Sequence, residues 1–322
     1  MRPNFLVLLL ACVPVEVCGQ TARQEKAIPL PAGVSIAAAP AVSGDGNQLA
    51  AICSDRVLRI WSAHSGELVH NIDANRAITV QFSGDGRLLA VAYEIVAYEK
   101  GAIKVFETDS WRLQRHLTAP FSMHALAFSP DNRRLAFSDL YTQIWDLTSE
   151  KNLTDISPPF GGSSSLSFSP DGKWLATADG DGFVRVYDAQ TGALRSATKN
   201  FLLEPMAVSF SSDSKWLFAG SVDKTISTID AGSGNVLRVL AKQPGVVWSL
   251  DVSADGKKAA AVYRVAERFN DINHLTLWDL ANGTAVADFY KPGVMIGGGA
   301  FIGDHYLFTA VSGNQLTLYS LR

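Results

Sequence analysis

Short runs in which apolar and polar residues alternate recur along the chain, each bounded by turn residues. The clearest lies between Ser165 and Leu194. Leu166 and Phe168 alternate with Ser165, Ser167 and Ser169, the pattern of a half-buried strand. Pro170-Asp171-Gly172 predicts a tight turn: Pro presets φ, Asp bonds its own backbone, and Gly accepts positive φ. Trp174 to Ala178 reads as a second strand, Asp179-Gly180-Asp181-Gly182 as a second turn, and Phe183 to Tyr187 as a third strand. Asp188 to Gly192 turns again into a fourth strand at Ala193-Leu194. Strands of about five residues joined by turns of two to four suit an antiparallel meander.

The unit is repeated seven times. Its turn cores are SGDGN (43–47), SGDGR (83–87), SPDNR (129–133), SPDGK (169–173), SSDSK (211–215), SADGK (253–257) and IGDHY (302–306). The aligned Asp residues, Asp45 to Asp304, stand 40 to 49 residues apart. Second strands follow as LAAIC, LLAVAY, RLAFS, WLATA, WLFAG, KAAAV and YLFTA (306–310). Third strands are VLRIW, IKVF, TQIW, VRVY, ISTI, LTLW and LTLY. A period of roughly 40–45 residues with four short strands predicts an all-β fold, a seven-bladed β-propeller of four-stranded antiparallel blades. The last unit stops just after its third strand, while Gln24 to Leu30 has no place in the first unit. That segment is expected to supply the outer strand of blade 7 and close the ring.

Composition adds bounds to this frame. Residues are 47% hydrophobic and 18% charged, which suits a chain with a packed core. The net charge of −3 offers no basic excess for phosphates, which argues against nucleic acid as a partner. Residues 1–19 read as a secretory signal: Arg2, an apolar run from Phe5 to Val13, and small residues near a cleavage point after Gly19. The apolar run is too short to span a bilayer. The expected domains are thus a signal peptide at 1–19 and the propeller at 20–322. An exported, periplasmic or extracellular protein follows, expected to be a monomer. Leu9-Leu10-Ala11-Cys12 is lipobox-like and would allow a lipid anchor, but a leader of 11 residues argues against it. Of Cys12, Cys18 and Cys53, cleavage would leave only Cys53, so no disulfide within the chain would form.

The pattern resembles the WD-repeat propeller family over essentially all of residues 20–322. The resemblance rests on FSPDGKWLATADGDGFVRVYDAQTGAL (168–194), FSPDN with QIWDL (128–147) and TLWDL (276–280), with Trp-Asp pairs at Trp145-Asp146 and Trp278-Asp279. The family's Gly-His pair before the first strand is missing in every blade. Asp55, Asp181 and Asp223 still stand where its turn Asp would be. The exported reading points to a bacterial type, and bacterial envelope propellers of the TolB or YVTN kind look similar. The resemblance implies a non-enzymatic scaffold that binds a protein partner.

No catalytic, cofactor or metal motif stands out. An EF-hand loop starting at Asp179 would need oxygen at Phe183, Gly at Val184 and Glu at Gln190, and none is there. Gly161 to Ser165 reads as a loop into a strand rather than a nucleophile elbow. Gly297-Gly298-Gly299 precedes a strand and has no Lys after it, unlike a phosphate cradle. The six histidines lack metal-ligand spacing. Cys53 reads as a small core residue.

Departures from the period are more informative. Between strands two and three, blade 2 carries seven residues (94–100) and blade 6 carries eleven (263–273), where most blades have two to five. These loops should share one face with the connections between blades. Tyr98, Phe121, His124, Phe160, Phe201, Trp248, Arg264, Arg268 and Phe269 are therefore the candidate partner-binding residues, of the types that anchor interfaces. The rival expectation is a small-ligand binder, or a hydrolase- or dehydrogenase-like propeller, using the axial funnel.

Overall fold

The computed structural model describes residues 22–94, 101–119, 125–138, 141–157, 162–240, 243–266, 271–291, 294–303 and 305–321. It shows seven four-stranded antiparallel sheets set around an axis. Blade 1 is β2 (Ala41–Val42), β3 (Gln48–Ile52), β4 (Val57–Ser62) and β5 (Leu68–Asp73), preceded by β1 (Arg23–Pro29). Blade 2 is β6 (Ala77–Phe82), β7 (Leu88–Tyr93), β8 (Gly101–Glu107) and β9 (Leu113–Ala119). Blade 3 is β10 (Ala125–Phe128), β11 (Arg134–Ser138), β12 (Thr142–Asp146) and β13 (Lys151–Ile156). Blade 4 is β14 (Ser163–Phe168), β15 (Trp174–Asp179), β16 (Val184–Asp188) and β17 (Leu194–Thr198). Blade 5 is β18 (Pro205–Phe210), β19 (Trp216–Ser221), β20 (Ile226–Asp230) and β21 (Val236–Val239). Blade 6 is β22 (Val246–Val252), β23 (Lys258–Ala266), β24 (Asp271–Asp279) and β25 (Thr284–Tyr290). Blade 7 is β26 (Met295–Ile302), β27 (His305–Ser312) and β28 (Gln315–Leu321), and β1 completes it as the outermost strand.

The expected ring closure is therefore present, from Arg23 opposite Ser320 to Pro29 opposite Gln315. The leader reading, 1–19, lies outside the described residues.

The core is a ring of seven apolar clusters, one between each pair of neighbouring blades. Between blades 4 and 5, Val184 and Val186 pack with Val208, Phe210 and Leu217. Between blades 7 and 1, Ile28 and Leu30 pack with Leu49, Trp61, Leu316 and Leu318. The alanines of the second strands, such as Ala50, Ala90, Ala136 and Ala176, are fully buried. Small side chains there let the inner strands of adjacent blades approach closely.

One turn design recurs in blades 1 to 6. Ser43, Ser83, Ser129, Ser169, Ser211 and Ser253 each donate their hydroxyl to the Asp two residues on, at 2.5–2.7 Å. Each Ser oxygen accepts the N–H five residues on, at 2.9–3.0 Å. The residue after the Asp takes positive φ, and in blades 3 and 5 that residue is Asn132 (56°) or Ser214 (62°) instead of Gly. The local hydrogen bonds hold even a non-glycine residue in the left-handed region.

Blade 7 departs from the sequence alignment. Ile302 has no hydroxyl for this turn, and β26 and β27 run on until Ile302 faces His305. Phe308, not Leu307, stands opposite Tyr319, so the equivalent second strand begins one residue later than YLFTA implies. Asp304 itself lies outside the described residues.

Gly297 to Gly299 do not precede a strand; they sit inside β26 at a bulge between Ile296 and Gly299. Gly298 N–H donates to Pro40 O at 2.7 Å, tying blade 7 to the entry of blade 1. A Cβ on Gly298 would stand 2.5 Å from that same carbonyl oxygen. The run of glycines is thus a close backbone crossing. Gly298→Ala is expected to destabilise the protein by about 1–3 kcal/mol through overpacking. A denaturant melt would check this, and an unchanged midpoint would contradict the crossing.

Candidate protein-binding face

Turns between second and third strands share one face with the connections between blades, as hydrogen bonds such as Ser54 N–H to Ser35 O and Val222 N–H to Glu204 O show. On this face blade 6 stands out. Its β23–β24 hairpin pairs nine residues a side, from Lys258 opposite Asp279 to Ala266 opposite Asp271, against five in blade 4. The eleven residues that interrupt the period are therefore largely an extension of the hairpin, not an irregular loop. Alternation explains this: Tyr263, Val265, Ile272 and His274 prolong the strand pattern.

The hairpin is braced by a ladder of rings across its strands. Tyr263 stacks on His274 (5.2 Å between centroids) and His274 on Tyr290 (4.5 Å). Tyr263 Oη lies 2.8 Å from Thr276 Oγ1, which donates to Asp288 Oδ1 at 2.9 Å. Burial pushes the Tyr263 phenol up to about 12, so it stays neutral and rigidly bonded. Cross-strand pairs of this kind stiffen a two-stranded extension that would otherwise fray.

Beside the hairpin runs an apolar groove of about 680 Å3 between blades 6 and 7. Trp248, Val262 and Arg264 line it from blade 6, and Val294, Met295 and Ile296 from blade 7. Trp248 is 44% exposed and Met295 40%, both large for apolar side chains. Trp248 emerges because β22 carries a bulge between Val247 and Ser249. The bulge adds one residue and re-aims it, while Val247 stays fully buried. Bulges recur at this level in blades 2, 4 and 5, between Ala77 and Thr79, Ser163 and Ser165, and Pro205 and Ala207. Their extra residues, Ile78, Ser164 and Met206, are half-buried. Only pairing register reveals these positions, so reading by strand pattern missed Ile78 and Ser164.

Of the candidate residues from sequence, the structure brings Trp248 and Arg264 together in this groove. Phe201 is placed differently. It packs into the core between blades 4 and 5 with Val186 and Phe210, and Leu202 and Leu203 point outward instead, 91% and 54% exposed. Leu202 N–H donates to Asp223 Oδ2 at 2.8 Å, which fixes the connection so that the ring turns in and the leucines turn out. Tyr98, Phe121, His124, Phe160, Arg268 and Phe269 lie outside the described residues.

The Asp179 to Gly182 segment is more than a turn. Arg185 donates to Asp179 Oδ2 at 2.6 Å and to both oxygens of Asp181 at 2.7–2.9 Å. Ser163 donates to Asp179 Oδ1 at 2.7 Å. Asp179 is fully buried, and burial holds its carboxyl above the usual carboxylate range against the pull of Ser163 and Arg185. In blade 1, Arg59 grips Asp55 through both oxygens at 2.6–2.8 Å, with buried Cys53 in the place of Asp179. In blade 5, Thr225 holds Asp223. These partners stabilise the turn Asp without the family's His. Ser163 is a buried strand residue in β14, not part of a loop. Among the described residues no three His, Cys, Asp or Glu side chains converge to hold a metal ion. None of their helices is long and apolar enough to cross a membrane, which leaves strands unaddressed.

Seven four-stranded blades, six of them carrying the Ser-Asp turn and three a gripped turn Asp, define a seven-bladed β-propeller. Residues 159–188 and 204–230, in blades 4 and 5, match the WD domain, G-beta repeat family. Similar proteins include eukaryotic translation initiation factor 3 subunit I from Culex quinquefasciatus, 23% identical over 40% of this chain and 43% of that protein. The serine-threonine kinase receptor-associated protein of Dictyostelium discoideum is 24% identical over the same shares. The WD repeat-containing protein SL1-17 of Schistosoma mansoni is 27% identical over 48% of this chain and 50% of its own length. Each match thus spans half or less of the relative, and all three relatives are eukaryotic.

Proposed function

We propose that this chain is an exported, non-enzymatic platform that binds a protein partner through the face carrying the blade 6 hairpin. The observation that carries the reading is the apolar groove in which exposed Trp248 meets Arg264, beside a hairpin stiffened by stacked rings. Trp and Arg at the centre of a groove are the side chains that anchor protein interfaces. The likeness to WD-repeat proteins, a class that typically serves as scaffolds, supports the same reading. Export rests on the leader pattern of residues 1–19, and a mature N-terminus found at Gln20 would support it. The platform acts as a monomer without a cofactor.

Affinity capture from an envelope and secretome extract tests the platform, with Trp248→Ala/Arg264→Ala as the control bait. A partner retained by wild type and lost by the double variant is the expected result. Each single variant should then weaken binding of the purified partner about 30-fold, or about 2 kcal/mol. Equal capture by both baits would remove the groove from the reading.

A further inference from the structure

The innermost strands of the blades surround an axial channel of about 630 Å3. Each of these strands has one edge without a strand partner, so its N–H groups need other acceptors. In blade 4, Ser165 and Ser167 do this work: their hydroxyl oxygens accept Val208 N–H at 3.2 Å and Phe210 N–H at 3.3 Å from blade 5. In blade 6 the residue at the level of Ser167 is Asp251, each standing opposite the matching alanine of its second strand. Its carboxylate accepts Val252 N–H at 2.9 Å and a backbone N–H of Phe301 from blade 7.

A hydroxyl suffices for that role, as blade 4 shows. A carboxylate adds a negative charge beside the channel. None of the described residues lining the channel is Lys, Arg or His. Tyr306 of β27 feels the Asp251 charge, and burial keeps its phenol well above its ordinary value and so neutral. Desolvation pushes Asp251 up to about 6, with Val252 and Phe301 N–H opposing it. The group is thus ionised near pH 7.5 and lacks a cationic side chain in the channel. The hydroxyl-bearing Ser209 and Ser249 line the same space, and Trp248 lines both channel and groove.

We propose that the channel binds a small primary organic ammonium ion. Its three N–H donors match one carboxylate and the hydroxyls of Ser209 and Ser249. Its carbon tail lies toward the Trp248 indole, whose apolar ring offers it a surface to cover. A single negative charge selects a monocation. The site shares Trp248 and Ser249 with the protein-binding groove, but its test turns on Asp251, which lines the channel and not the groove.

Saturation-transfer NMR on residues 20–322 with butylammonium chloride tests the site, using 1-butanol as the neutral analogue. Asp251→Asn removes the charge but keeps an oxygen to accept the two N–H groups. Transfer to butylammonium at pH 7.5 is expected, with at least tenfold weaker affinity in Asp251→Asn and in wild type at pH 5. The exposed Glu67→Gln variant should bind like wild type. Equal affinity for 1-butanol, no loss at pH 5, or no transfer to wild type would each overturn the proposal. Should Asp251→Asn fail to fold, the pH titration of wild type and the butanol comparison decide the matter alone.

Discussion

Deleting residues 22–30 is expected to lower the melting temperature by roughly 10 °C or more. β1 closes the ring: it pairs with β28 and carries Ile28 and Leu30, 2% and 5% exposed, into the cluster shared by blades 7 and 1. Losing two such side chains costs about 2–5 kcal/mol each. The deletion also strips the ladder from β28 and the bonds from Ser320 Oγ to Glu25 and from Leu30 N–H to Asn314 O. Trp61 and Leu49 of blade 1 lose part of their packing as well. The double variant Ile28→Ala/Leu30→Ala separates the effects: it should account for part of the drop, and the missing strand for the rest. An unchanged melt on deletion would show that blade 7 holds with three strands.

Replacing Arg185 by Met is expected to cost about 3–5 kcal/mol, because it leaves Asp179 buried without its cation. The loss should depend on pH, and the sign follows from the direction of the shift. Burial raises the folded-state pKa of Asp179 above its unfolded value. The native state therefore holds that proton more tightly, and stability is lost as pH rises through the folded pKa. Without Arg185 the folded pKa climbs further, so the variant sheds more of the cost by protonating Asp179 as pH falls. The stability gap to wild type should be wider at pH 8. Asp181 shifts the other way in wild type, lowered by Arg185 against its own burial, so in the variant it loses the same partner and adds to the gap at pH 8. Arg185→Met/Asp179→Asn should recover part of the loss at pH 8. Urea melts at the two pH values read all of this, and an equal gap at both would remove Asp179 from the account.

Much of the architecture follows from local chemistry. Alternation placed the strands, and Ser-Asp-Gly sequences placed the turns, because both are decided within a few residues by side-chain direction and by bonds from a side chain to its own backbone. Counting strands also placed β1 on blade 7, since an incomplete last unit and an unused first segment have one joint solution. In blade 7 the same counting slipped by one residue, because register there follows the pairing of β26 with β27 and not a turn motif.

The candidate site was legible in part. The long insert of blade 6 pointed to Arg264 and the connections between blades to Trp248, but the sequence could not say that most of the insert is hairpin or that Phe201 turns inward. Which residues are exposed depends on how neighbouring blades pack, and those contacts join residues some 40 positions apart. The same holds for the charge partners. Asp179 looks like a solvated turn residue until tertiary packing buries it beside Arg185, and Asp251 looks like an ordinary strand residue until seven open strand edges meet at the axis. The sequence by itself determined the number of blades, the order of strands and the turn chemistry, all properties of short segments. Only the tertiary structure decided which side chains face the groove and the channel, because the curvature of the ring brings together residues that no local pattern connects.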